Sequence, residues 1–374
     1  MSFVNFSTLI RKVLIFPLIL SLSGCNMPNI NLDSGSSVSV KSGSAEDISP
    51  MLDNLAKLLP SDDAGIVVGY INGENLTIAS VGNPSFTEET LFEYGSITKV
   101  LTANILMQLV NEGSLRLDDN LNQYLPADIQ DKQWETVTLR QLATHTAGIP
   151  FLPPNLSSAQ IDQGDDPFAN YDGAMLYQGI KATTVSSVGE KWAYSNFGYA
   201  ILGLILRQKT NLVYADLVEQ RLFDPLGMDT ATIEGWSSIN IAPPLTSSGA
   251  EGTQWTLNSF ESAGAFKGSI LDGVSFLKAS MSACLNNDLI ALSNCQTQQP
   301  TGIKIDETSQ MGLGWVRNSG DNGIVIWHNG STGGYTTFLG FNPEKHVGIV
   351  LLSNVAMFQS FADGTVVNYL LSIN

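Results

Sequence analysis

The sequence predicts an α+β fold in which one antiparallel sheet is flanked by helices and carries a mostly helical insert. Segments rich in β-forming residues occur near both ends of the chain, at residues 65–81 and 324–353. Between about residues 121 and 294, helical patterns and long loops replace them. Strands from both ends can share a sheet when the intervening part docks on one side. We therefore expect one folded domain over residues 47–374, with a ligand cleft between its two parts.

The N-terminal 24 residues are predicted to be a signal peptide. Arg11 and Lys12 precede an apolar run over 13–22 that is too short to span a bilayer. The run closes with Leu-Ser-Gly-Cys at Cys25, which resembles the bacterial lipoprotein cleavage box. This resemblance implies cleavage before Cys25 and lipid attachment to its sulfur. A plain signal peptide that happens to contain a cysteine is the alternative.

The residues after Cys25 predict where the protein is held. Asn26 follows the cysteine, and the lack of aspartate there argues against retention in an inner membrane. We expect a membrane-anchored lipoprotein in the periplasm or on the outer membrane. Residues 25–46 are predicted to be a flexible tether, because 33–44 contain six serines and two glycines.

The first elements of the domain follow from local signals. Ser49 is suited to cap a helix with Pro50 at its first position, ending near residue 59. Residues 65–71 and 76–81 alternate around Asn72-Gly73 and predict a hairpin. A helix that is apolar nearly all round begins at Ser96 and stops at Gly113, which is typical of a helix buried inside a domain.

The remaining elements are assigned in the same way. The insert is expected to contain helices over 137–144, 196–210, 214–223 and 274–281. Residues 151–172 are polar and non-periodic and predict a loop that lines or covers a cleft. Strands are expected over 324–327, 335–341 and 347–353, with a turn at 342–345 and a final helix over 362–371.

Charge and cysteine content narrow the function classes. The chain of 374 residues has a formal charge of −17 and a pI of about 4.4, which argues against a nucleic-acid partner. Cys284 and Cys295 remain after lipidation of Cys25. In an oxidising compartment a disulfide between them is expected, although two free buried thiols are possible. Neither lies in a metal-ligand pattern, so we expect no metal or cofactor.

Ser96 and Lys99 are the first candidate catalytic pair. Three residues apart, they share one face of the predicted helix. A hydroxyl becomes a nucleophile when a base takes its proton, and a buried lysine with a lowered pKa can do so. The pattern alone is weak evidence, because Ser-x-x-Lys recurs at Ser275–Lys278, which we interpret as a surface pair.

Two later stretches supply chemical context. Tyr194 and Asn196 form Tyr-x-Asn, in which a phenol can act as phenolate or proton relay and an amide can bind a substrate amide. The same tripeptide at Tyr70–Asn72 is interpreted as structural. Residues 327–335 place a histidine at a strand edge beside a glycine-rich turn, where a peptide-like ligand could approach. A tight hairpin with a buried histidine is equally compatible.

In this order, Ser-x-x-Lys, Tyr-x-Asn and His-x-Gly resemble the motifs of the penicillin-recognising serine hydrolases. The chain is most similar to the class C β-lactamase and D,D-carboxypeptidase branch, which also contains esterases. The resemblance covers roughly residues 50–370 and includes sequence segments that flank the motifs. These are Leu-Phe-Glu-Tyr-Gly-Ser at 91–96, Thr-His-Thr-Ala-Gly-Ile-Pro at 144–150 and Met-Gly-Leu-Gly-Trp at 311–315. The resemblance implies a β-lactamase/transpeptidase-like fold.

The resemblance also implies roles for named residues. Ser96 is the acylated nucleophile, Lys99 its proton acceptor, and Tyr194 the group that passes the proton to the leaving group and later helps to activate water. Asn196 holds the substrate amide. His328 takes the place of a cationic residue.

The oxyanion hole implied by the resemblance consists of the backbone N–H groups of Ser96 and Ser331. Gly330, the glycine of the third motif, is expected to be a substrate-binding position. His145 is interpreted as structural and His346 as solvated.

The substrate class stays open at this level. The first interpretation is a hydrolase of D-Ala-type cell-wall peptides or of compounds that mimic them, and the lipid anchor would hold it beside that substrate. A β-lactamase or a carboxylesterase on the same scaffold is the alternative. His328 stands where efficient class C β-lactamases carry lysine, which disfavours the β-lactamase. A non-catalytic binding lipoprotein would have no reason to keep Ser96, Lys99 and Tyr194, and a Ser-His-Asp hydrolase lacks a Gly-x-Ser-x-Gly motif here.

Overall fold

The structure is a computed structural model that describes residues 39–40, 48–156, 166–236, 240–320, 323–356 and 359–373. The predicted signal peptide, Cys25 and most of the predicted tether lie outside these residues. No helix within the described ranges is long and apolar enough to cross a membrane.

One eight-stranded sheet organises the molecule. Its strands and those of a small two-stranded sheet are β1 Ser39–Val40, β2 Gly65–Asn72, β3 Asn75–Gly82, β4 Phe92–Glu93, β5 Lys267–Gly268, β6 Ser309–Met311, β7 Val316–Gly320, β8 Gly323–Ser331, β9 Thr336–Asn342 and β10 Val347–Ser353. The large sheet has the order β1-β3-β2-β10-β9-β8-β7-β6, and every neighbouring pair is antiparallel. β4 pairs with β5. The strands from the two ends of the chain therefore meet at the β2–β10 pair.

Helices cover both faces of this sheet. They are α1 Ser49–Ala56, α2 Thr98–Asn111, α3 Leu139–Ala143, α4 Gly173–Ala182, α5 Asn196–Thr210, α6 Tyr214–Val218, α7 Asp224–Leu226, α8 Glu261–Gly264, α9 Ile270–Met281, α10 Leu289–Thr297 and α11 Gln359–Ser372. The terminal helices α1 and α11 pack on one face, and α2 with the mostly helical region packs on the other. The predicted α+β class, one antiparallel sheet flanked by helices with a mostly helical insert, is confirmed.

The apolar strands are explained by burial on both faces. In β10, Ile349 and Leu351 point toward α1 and α11, while Val350 and Leu352 point toward the larger core. Because strand side chains alternate, a strand covered on both sides reads as a continuous apolar run. The same burial on all sides explains the composition of α2, where twelve of fourteen residues are buried.

Three local predictions differ from the structure. The first helix begins at Ser49 itself and ends at Ala56, so Ser49 is not its N-cap. Ser96 lies in a 3-10 turn over Gly95–Ile97 that leads into α2. Ser39–Val40, within the predicted tether, pairs with the edge strand β3, where an open row of backbone groups accepts an extended segment.

Candidate active site

Ser96 is placed where the start of α2 meets the end of β8. Gly95 has φ +55°, and a Cβ there would lie 2.8 Å from the Ser331 nitrogen, so only glycine fits the approach. A Cβ on Gly330 would collide with the Tyr94 carbonyl oxygen. These two glycines bring the backbones around Ser96 and Ser331 together, in the region where the resemblance places an oxyanion hole.

Lys99 is fully buried and has three polar partners. Its Nζ lies 3.0 Å from Ser96 Oγ, 2.7 Å from Asn196 Oδ1 and 2.6 Å from the Ala263 carbonyl oxygen. A neutral amine has two N–H bonds and one lone pair. The amide and carbonyl oxygens can only accept, so they use both N–H bonds and leave the lone pair for the Ser96 O–H. Burial lowers the pKa of Lys99 well below its usual value, which favours this neutral form.

Tyr194 and Asn196 flank a helix cap. The Ser195 hydroxyl accepts a hydrogen bond from the Gly198 N–H at 2.9 Å and donates to the Pro150 carbonyl at 2.7 Å, which fixes the start of α5. The Tyr194 ring then lies beside Lys99, with 4.9 Å between Nζ and the ring centroid. Burial raises the pKa of Tyr194, although a hydrogen bond with Ser96 opposes the shift. The side chain is therefore a neutral phenol near pH 7 and fits a proton relay better than a resident phenolate.

His328 lies where the resemblance places a cationic residue. It is on β8 within 6.4 Å of the Tyr194 ring, between centroids, and its Nδ1 is 2.5 Å from the Asn329 carbonyl oxygen. Burial is the largest of the causes that lower the pKa of His328 to about 3. The side chain is therefore neutral near pH 7, because a buried imidazole cannot readily hold a positive charge.

A narrow cleft opens over Ser96. Its apolar wall consists of Phe168, Trp255, Leu257 and Phe260, and Asn196, Ser331 and Thr332 add polar groups. None of the described residues that line it carries a charge. Phe168 belongs to the predicted 151–172 loop, whose central residues 157–165 lie outside the described ranges.

The structure separates this site from other candidates. A larger cavity of about 490 Å³ lies elsewhere and is lined by none of Ser96, Lys99 and Tyr194. The second Ser-x-x-Lys lies on α9 with Lys278 exposed, as expected of a surface pair. Within the part of the chain that the structure describes, no group of three or more His, Cys, Asp or Glu side chains could hold a metal ion.

Some contributors to the site could not be found from motifs. The Ala263 carbonyl is a backbone group and leaves no side-chain signal. The aromatic wall comes from two distant segments, around residues 168 and 255–260. His145, which we had interpreted as structural, is buried and packs on Tyr194 with 4.4 Å between ring centroids. Away from the site, Cys284 and Cys295 form a disulfide.

Comparison with known proteins identifies the family. The family model described as beta-lactamase matches residues 57–367. Penicillin-binding protein 4 of Amycolatopsis lactamdurans is 30% identical over 297 residues, covering 74% of this chain and 75% of that protein. The D-alanyl-D-alanine-carboxypeptidase/endopeptidase AmpH of Escherichia coli (strain K12) is 24% identical over 327 residues, covering 81% of this chain and 83% of that protein.

A solved structure agrees with this assignment at the level of the fold. The class C beta lactamase from Rhodobacter sphaeroides superposes with a TM-score of 0.71 at 19% identity, covering 88% of this chain and 98% of that chain. This agreement confirms the expected β-lactamase/transpeptidase-like fold. The family match spans most of the chain, and the side chains of the three motifs lie close together. The chain therefore belongs to the beta-lactamase family and is a serine hydrolase.

Proposed function

We propose that the protein hydrolyses D-Ala-type cell-wall peptides, or compounds that mimic them, through an acyl-enzyme on Ser96. The observation that carries this proposal is the buried Lys99, whose Nζ lies 3.0 Å from Ser96 Oγ and also contacts two oxygens that can only accept, Asn196 Oδ1 and the Ala263 carbonyl. The names of two relatives, a penicillin-binding protein and a D-alanyl-D-alanine-carboxypeptidase/endopeptidase, favour this substrate class.

The proposed reaction has two halves. Ser96 Oγ attacks the substrate carbonyl carbon, and its proton passes to Lys99 Nζ. The backbone N–H groups of Ser96 and Ser331 stabilise the oxyanion. A proton then passes through the Tyr194 hydroxyl to the leaving group, and the bond to that group breaks. In the second half, water attacks the ester carbonyl carbon and gives up a proton to Tyr194 and Lys99. The bond to Ser96 Oγ then breaks, that proton returns to Oγ, and the acid leaves.

Binding would use the polar groups at the cleft. The Asn196 side-chain N–H₂ is free to donate to a substrate carbonyl, because its Oδ1 is taken by Lys99. The β8 edge near Gly330 and Ser331 would pair with an extended peptide. Cys25 is proposed to carry the lipid that anchors the protein to a membrane outside the cytoplasm, within reach of the cell wall.

The uncharged cleft favours a second candidate, a carboxylesterase. A terminal carboxylate on a peptide or a penicillin is usually held by a cation, yet His328 is neutral and the described lining residues carry no charge. The apolar wall formed by Phe168, Trp255 and Phe260 suits a neutral acyl group.

One set of substrates separates the two candidates. The soluble protein, residues 26–374, is incubated with a peptide ending in D-Ala-D-Ala, with the same peptide as its C-terminal methyl ester, and with a p-nitrophenyl ester. Ser96→Ala is the control for each. Release of D-Ala from the free acid supports the peptidase. Turnover confined to the two esters supports the esterase, and no Ser96-dependent product from any of them argues against both.

A further inference from the structure

His145 packs directly behind Tyr194, away from the cleft. Its side chain is 2% exposed, and its ring lies 4.4 Å from that of Tyr194 and 5.2 Å from that of Tyr199, between centroids. Trp192 contacts a third side, with 6.3 Å between ring centroids. The phenol that the proposed reaction uses therefore lies against this imidazole.

Two hydrogen bonds to His145 hold the chain on both sides of Tyr194. The His145 carbonyl oxygen accepts from the Ala193 N–H at 2.8 Å. The His145 Nδ1 accepts from the Ser195 N–H at 3.1 Å. One residue thus fixes the backbone before and after Tyr194 while its ring supports the phenol.

The backbone of His145 makes this double contact possible. Its φ is +59°, in the left-handed region, which only a few per cent of non-glycine residues adopt, with asparagine, aspartate and histidine enriched among them. A residue at this φ is held there by its surroundings. Here the Ala193 and Ser195 hydrogen bonds provide that constraint.

The arrangement also fixes the protonation state of His145. An Nδ1 that accepts a hydrogen bond carries a lone pair, so the neutral ring has its proton on Nε2. That Nε2 is buried and has no hydrogen-bond partner among the described residues. Protonation would add a hydrogen to Nδ1 that faces the Ser195 N–H. Burial is the largest of the causes that lower the pKa of His145 well below its usual value and keep it neutral. Tyr194 and Tyr199, which also face it, are neutral phenols.

We propose that His145 is a positioning residue that holds the Tyr194 hydroxyl in line for proton transfer. The proposal rests on the proposed acyl-enzyme chemistry of Ser96. It predicts that loss of His145 slows the chemical steps and leaves substrate binding nearly unchanged, because Tyr194 acts after the substrate is bound. A displacement of about 1 Å at a reacting group can cost about 100-fold in rate.

Two variants separate positioning from simple stability. His145→Asn keeps an acceptor, since its Oδ1 is as far from the backbone as Nδ1, and asparagine tolerates positive φ. His145→Ala removes the acceptor and the ring. His346 supplies the matched control, because it is exposed, has φ +53° and lies in the turn between β9 and β10. His346→Ala therefore measures the cost of losing a histidine in this backbone conformation far from the cleft.

The test measures acylation by a chromogenic penicillin and by a p-nitrophenyl ester at saturating concentration, with thermal midpoints for each variant. We expect His145→Ala to slow acylation by roughly 10- to 100-fold with apparent affinity within about twofold. His145→Asn should recover most of that loss, and His346→Ala should match the wild type. Wild-type acylation rates in His145→Ala would overturn the proposal. So would equal slowing in both His145 variants when both remain folded.

Hydrogen exchange at the Ser195 amide gives a reading that needs no substrate. The amide should exchange faster in His145→Ala and keep its protection in His145→Asn. Unchanged protection in His145→Ala contradicts the positioning role. If neither reagent acylates the wild type, the proposed function fails, and the exchange comparison still decides whether His145 holds this segment.

Discussion

Replacing Asn196 with aspartate is expected to raise the pKa of Lys99 and thereby remove its neutral form near pH 7. The Asn196 Oδ1 lies 2.7 Å from Lys99 Nζ. A carboxylate oxygen at that distance would favour the ammonium by about 6 kcal/mol at an effective dielectric constant of 20. Desolvation of the new carboxylate offsets much of this gain, and the remainder is expected to raise the pKa of Lys99.

The rate of acylation as a function of pH reports this change. At pH 7 acylation should be about 100-fold slower than in the wild type, which is the lower end of what a general base usually contributes, because a protonated Lys99 cannot take the Ser96 proton. The rate should recover as the pH rises through the new pKa. Aspartate is favourable in the first turn of a helix, so α5 should remain intact.

Asn196→Ala is the matched control because it removes the same acceptor without adding charge. Its profile should show no upward displacement along the pH axis. If the Asn196→Asp profile coincides with that of the wild type, or with that of Asn196→Ala, Lys99 is not the base and the argument from its three partners is wrong.

Three further substitutions test other parts of the account. Tyr194→Phe should slow acylation and deacylation by about 10²- to 10⁴-fold, because it removes the hydroxyl that relays the proton. Stopped-flow kinetics with a chromogenic penicillin measure both rates, and unchanged rates would exclude the relay. Burial raises the pKa of Glu93 from 4.5 to about 7. Between pH 4.5 and 7 the folded protein therefore holds a proton on Glu93 that the unfolded chain has lost, and the free energy of unfolding falls by up to about 3 kcal/mol as the pH rises across this range. The free energy of unfolding of Glu93→Gln, measured with urea, should not decline over this pH range. Replacing Cys284 and Cys295 by serine should lower the free energy of unfolding by about 3 kcal/mol, because the disulfide no longer closes a loop in the unfolded chain. Equal urea midpoints for this double variant and the wild type would contradict this.

The α+β architecture could be predicted from the sequence. Strands and helices leave different periodicities, and the described residues between 121 and 294 are mostly helices and loops, as that pattern indicates. Ser96, Lys99 and Tyr194 were selected through motif order, and the fold brings their side chains close together.

What the sequence could not give depends on burial and on contacts between distant segments. The charge of His328 could not be inferred from the sequence, because its pKa depends first on how deeply the side chain is buried. The Ala263 carbonyl accepts from Lys99, but a backbone acceptor has no sequence signal. His145 was interpreted as structural from the sequence, but its contacts with both neighbours of Tyr194 depend on a left-handed backbone conformation that the sequence does not reveal.

The most direct test of the central claim is the intact mass of residues 26–374 after brief exposure to a penicillin, with Ser96→Ala treated in parallel. Mass spectrometry of the quenched wild type should show one added penicilloyl group, mapped by digestion to the peptide containing Ser96, and the variant should show none. An equal adduct on both proteins, or a group mapped to another residue, would contradict the assignment of Ser96 as the nucleophile.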